Sequence, residues 1–66
     1  MRIMVNGRQR EITSSTSVRD CMQLLGLAPE RVIIEFNGEP LRRAEFDTTM
    51  LHEGDSLEVA QMVGGG

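Results

Sequence analysis

The sequence contains no lysine, no tryptophan and no tyrosine, and of its 66 residues one is a cysteine and one a histidine. All seven basic residues are arginines. Without lysine no side-chain amine can accept an isopeptide bond or form a Schiff base, so the N-terminus is the only place left for such amine chemistry. The lone Cys21 cannot close an internal disulfide, which removes the usual staple of small secreted domains and points to a cytoplasmic setting. A zinc site needs several cysteine or histidine ligands, and one of each does not make one. No segment approaches the ~20 apolar residues of a membrane helix. A net charge of −3 argues against nucleic acid or a membrane surface as the main partner. One small domain is expected, because a chain of this length buries only about 60% of the surface that it exposes when unfolded.

What is present reads as a succession of short elements. In "RIMVNGRQREIT" two alternating stretches flank Asn6-Gly7, the strongest short hairpin signal, because both turn positions take positive φ. Arg2 to Val5 and Gln9 to Thr13 are therefore expected as an antiparallel pair, with Ile3, Val5 and Ile12 inward and Arg2, Met4, Gln9 and Glu11 outward. Ser17 with Asp20 resembles a capping box, and Val18, Cys21, Met22 and Leu25 form one stripe of an amphipathic helix of about two and a half turns. Gly26 suits the left-handed C′ position, Leu27 the apolar contact that follows it, and Pro29 stops continuation. The run "RVIIEFNG" is a strand burying Val32, Ile34 and Phe36, turned at Asn37-Gly38 into a short segment that Pro40 confines to a sheet edge. "RRAEFDTTML" is irregular or 3₁₀, with Phe46 and Leu51 anchored inward. After the turn "HEGD", "SLEVAQMV" is the last strand, with Leu57, Val59 and Gln61 on one side and Glu58, Ala60 and Met62 on the other. The pattern is α+β.

Few side chains in this pattern offer chemistry. His52 with Ser56 or Asp55 is the sole conceivable nucleophile and base cluster, and the turn that holds it reads as solvated. Glu53, Asp55 and Glu58 lack the loop spacing of a calcium site. Cys21 lies on the apolar helix stripe, where a small buried hydrophobe is the ordinary reading. The three terminal glycines are followed by no helix and so cannot form a phosphate loop. Met4, Ile33, Ala60 and Met62 fall on outward strand positions and form either a soft apolar surface for a partner or scattered surface residues.

The elements "MRIMVNG", "TSVRDCMQLLGL", "VIIEFNGEPLRRAEF" and "LHEGDSLEVAQMVGGG" resemble, in order and spacing, the ThiS sulfur carrier proteins of thiazole and thiamine biosynthesis. The Gly54-Asp55 turn, at its distance before a Val-Gly-Gly-Gly end, makes the resemblance specific. Met62 departs from it, standing where phenylalanine is common, and so does the order Pro40-Leu41.

The resemblance implies a β-grasp, ubiquitin-like fold: a mixed sheet of four to five strands covered by one helix, with the last strand parallel to the first. It implies a domain over residues 1–63 and a flexible glycine tail over 64–66. It further implies that the protein is not an enzyme but a substrate. A ThiF-like adenylating enzyme, using ATP and magnesium, would activate the Gly66 carboxylate, and sulfur relayed from a cysteine desulfurase would convert it to a thiocarboxylate. A ThiG-like thiazole synthase would take up that sulfur. No cofactor is then expected to be held stably, and the free carrier is expected to be a monomer. Gly64 and Gly65 would thread a narrow channel, having no Cβ to obstruct it. Fixing them costs roughly 1–2 kcal/mol per residue, so docking would rest on Met4, Ile33, Glu35, Glu58, Ala60 and Met62. The absence of lysine then either protects against self-acylation or reflects coding bias. The alternatives are the small subunit of molybdopterin synthase or another thiocarboxylate carrier, a ubiquitin-like protein modifier, and an interaction module with an inert tail.

Overall fold

A computed structural model describes residues 1–62. Strands β1 (Arg2–Val5), β2 (Arg8–Glu11), β3 (Val32–Phe36), β4 (Glu39–Leu41) and β5 (Ser56–Gln61) form one sheet in the order β2-β1-β5-β3-β4. β5 runs parallel to β1 and antiparallel to β3, and all the other pairs are antiparallel. With helix α1 (Val18–Leu24) covering one face, this is the β-grasp arrangement. Pro40 lies in the edge strand β4, as its missing N–H requires.

Both hairpins close through Asn-Gly turns with positive φ at each position: 51° and 79° at Asn6 and Gly7, 51° and 85° at Asn37 and Gly38. A two-residue turn makes Val5 and Arg8 the closing pair, so β2 begins at Arg8 rather than Gln9. It ends at Glu11 rather than Thr13, because the Thr13 carbonyl turns away to accept from Thr16 Oγ1 at 2.7 Å.

Helix α1 starts at Ser17, whose Oγ accepts from the Asp20 N–H at 3.0 Å. The N–H groups of Val18 and Arg19, which have no partner within the helix, bond to the Thr49 and Phe46 carbonyls at 2.9 and 3.1 Å. The irregular segment after β4, with its 3₁₀ turn at Arg43–Glu45, thus caps the helix while it anchors Phe46 and Leu51 in the core. At the other end the Leu27 N–H reaches the Met22 carbonyl and the Gly26 N–H that of Gln23, a Schellman closure with Gly26 at φ +77°. The helix has seven residues, about two turns, not two and a half, since Leu25 is already the non-helical cap. Pro29 does more than stop the helix, because it is buried and opens a 3₁₀ turn through Arg31.

The core consists of Ile3, Val5, Val18, Cys21, Met22, Val32, Ile34, Phe46, Leu51 and Leu57. Ile12, Phe36 and Val59, expected inside, are only half-buried at its margin. A two-turn helix spans about 10 Å and cannot cover both ends of the sheet, which leaves these three at the rim. β5 ends at Gln61, which is exposed despite sharing the side of Leu57, and Val63 lies outside the described residues. No helix among the described residues is long and apolar enough to cross a membrane.

Candidate functional site

β5 leads toward the C-terminus from the centre of the sheet, and it is held by more than its two ladders. The Asn6 side chain accepts from the Val59 N–H at 2.7 Å and donates to the Val59 carbonyl at 3.1 Å, taking the place of a peptide group of β1. Asn37 does the same at the start of the strand. Its Oδ1 accepts from the Ser56 N–H at 2.8 Å, and its Nδ2 donates to Asp55 Oδ1 at 3.1 Å. Asp55 Oδ2 also accepts from the His52 N–H at 2.8 Å, so this carboxylate organises the turn before β5. No local sequence signal announces these clamps, because an Asn-Gly pair signals a turn and says nothing of which distant strand its amide will meet.

The face turned away from α1 carries the residues expected to dock a partner. Ile33 lies opposite Ala60 and Glu35 opposite Glu58 across the β3–β5 pair, while Met4 pairs with Ser56 two positions further along the same side. The Met62 N–H still bonds to the Arg31 carbonyl at 2.8 Å, which carries the register one residue beyond the strand and leaves Met62 on this face. Ile33 and Met62 are 60% and 46% exposed, large apolar areas for so small a protein. A shallow groove of about 310 Å³ is lined by Ile33, Glu35, Glu58, Val59 and Ala60. Glu35 and Glu58 place two carboxylates directly across from each other, an arrangement unfavourable to the isolated sheet. The ion pairs among the described residues, Arg2–Glu11, Arg19–Asp47 and His52–Asp55, neutralise neither of them.

The remaining side-chain candidates are placed unfavourably for chemistry. His52 is 80% exposed with Nδ1 4.0 Å from Asp55 Oδ2, and that carboxylate is already engaged by the turn. Cys21 is buried, and burial pushes its thiol above the ordinary value against a smaller opposing effect of the Arg10 guanidinium. Neither is a poised nucleophile. Among the described residues no three histidine, cysteine, aspartate or glutamate side chains group as a metal site. Gly64, Gly65 and Gly66 lie outside the described residues.

Comparison with known proteins bears on the whole length. The profile of the ThiS family matches residues 3–66. The crystal structure of the thiamine biosynthesis protein ThiS from Geobacter metallireducens superposes with a TM-score of 0.84 at 36% identity, covering 100% of both chains. Thiazole synthases of Magnetococcus marinus and Paramagnetospirillum magneticum are 33% and 29% identical over 66 residues, which is 100% of this chain. The chain spans 20% of the length of these two relatives.

Proposed function

The chain belongs to the ThiS family, and from that membership we propose that it is a sulfur carrier protein of thiamine biosynthesis, with the Gly66 carboxylate as its working group. The observation that carries this reading is the extent of the family match, which runs through the glycine end of the sequence.

A carboxylate is a poor electrophile, so it must first be given a leaving group. An ATP- and magnesium-dependent enzyme of the ThiF type transfers AMP to Gly66, releasing pyrophosphate. The terminal sulfur of a persulfide, supplied through a cysteine desulfurase, displaces AMP to give an acyl persulfide. A thiol then reduces the S–S bond and leaves the thiocarboxylate. A thiazole synthase of the ThiG type accepts the sulfur, a role supported by the thiazole synthases that contain a segment similar to this chain. All of this chemistry takes place in partner active sites, in the cytoplasm, and the carrier contributes no catalytic side chain. Gly64 and Gly65 let the carboxylate thread a channel, while Met4, Ile33, Ala60 and Met62 supply apolar contact and Glu35 and Glu58 meet cations on the partner.

Intact mass spectrometry after incubation with ATP, magnesium, a persulfide source and the activating enzyme tests the proposal. The expected gain is that of one oxygen replaced by sulfur, located in the C-terminal peptide. Removal of Gly65 and Gly66 should abolish it, together with growth without added thiamine. Growth supported by the truncated chain, or amide linkage to other proteins with no sulfur form, would overturn it.

A further inference from the structure

On the side opposite the docking face, the free edge of β2 borders a second groove. The two-residue turn makes Val5 and Arg8 a hydrogen-bonded pair, and the Ile12 N–H to Met1 carbonyl bond at 2.9 Å keeps the same parity. The main-chain groups of Arg8, Arg10 and Ile12 therefore point to β1. Those of Gln9 and Glu11 point away from the sheet, where no strand follows. Arg8 and Arg10 lie across from the core residues Val5 and Ile3, so their side chains emerge on the helix side. There, with Val5 and with Leu24, Leu25 and Leu27 at the helix end, they line a groove of about 440 Å³. Leu24 is 68% exposed, the most exposed large apolar side chain among the described residues. No carboxylate among the described residues pairs with Arg8 or Arg10, whereas Arg2 and Arg19 each have one. Charge on an edge strand guards against self-pairing, but that role gives no reason for an apolar floor beside it.

We propose that this edge and groove bind an extended acidic and apolar segment of another protein by strand addition: its backbone pairs with Gln9 and Glu11, its carboxylates meet Arg8 and Arg10, and an apolar side chain covers Leu24. Main-chain pairing supplies affinity, and the alternating side chains supply selectivity. The groove lies on the helix side of the sheet, so its occupant leaves Ile33, Glu58 and Ala60 free. Such a segment could tether the carrier while its docking face is engaged, and the inference does not depend on the sulfur chemistry.

Titration of the ¹⁵N-labelled full chain with a capped peptide of about nine residues tests the site, its odd positions alternating glutamate and valine and its even positions threonine, so that acidic and apolar side chains fall on one face of the strand. Saturable amide shifts at Gln9, Glu11 and Leu24 are expected below ~1 mM peptide, with slowed exchange of the Gln9 and Glu11 N–H groups. The double variant Arg8→Glu, Arg10→Glu should bind about tenfold more weakly with its spectrum otherwise unchanged, since both residues are exposed. A peptide with lysine for glutamate should not bind, and one with a central proline should lose the slowed exchange. Shifts centred on Ile33 and Ala60, unaltered binding by the proline peptide, or equal binding of a single-stranded oligonucleotide of the same charge would each overturn the proposal.

Discussion

Asn6 and Asn37 each serve twice, once as a turn residue at positive φ and once as a side chain that completes the ladder of β5. Asn6→Gly separates the two roles, because glycine keeps the turn and deletes the clamp. We expect a loss of about 2 kcal/mol in urea unfolding, the two lost internal hydrogen bonds being worth about 1 kcal/mol each. The turn was legible in the sequence as a dipeptide, while the clamp was not, because its partner Val59 is 53 positions away. Cys21 gives a second expectation at this scale. Burial holds the native thiol protonated beyond the pH at which the unfolded thiol ionises. Its contribution to stability is therefore full below the ordinary thiol range and declines as pH rises through that range toward the raised native value. Urea midpoints should fall above about pH 8.5, and Cys21→Ala should lower the midpoint at neutral pH yet flatten that decline.

At the scale of elements, the helix was the best-announced feature, since its start at Ser17, its stripe and its stop at Gly26 are all local signals. Gly26→Ala tests the stop. An added Cβ meets nothing within 4 Å, so only the φ of +77° is at issue and a cost of about 1 kcal/mol is expected in chemical unfolding. The strands were legible by alternation, with their ends less so. Alternation starts β2 one residue late because the closing pair of a tight hairpin counts as strand, and it buries Ile12, Phe36 and Val59 too deeply because no local signal gives the reach of the helix that should cover them. The 3₁₀ turn at Pro29–Arg31 has no local signal of its own, as a proline that stops the helix conceals the turn it opens.

At the scale of the molecule, alternation alone put Ile33 and Glu35 on one side of β3 and Glu58 and Ala60 on one side of β5, but only the register sets Glu35 opposite Glu58. On the proposed carrier function, the double variant Ile33→Arg, Glu58→Arg should lower the rate of C-terminal adenylation by a ThiF-type enzyme about tenfold or more. Its unfolding free energy should change by less than about 1 kcal/mol, the lost exposed Ile33 side chain being set against relief of the Glu35–Glu58 repulsion. The strand order has a consequence in time as well as in space. β1–β2 and β3–β4 are two hairpins with no ladder in common, and β5 alone joins them. A ribosome delivers that strand after the other four, so until Ser56–Gln61 has emerged the nascent chain holds two hairpins that no strand pairs into one sheet. Completion of the fold therefore waits for the emergence of Ser56–Gln61, and a partner that recognises the β3–β5 surface engages only chains that have already presented that strand.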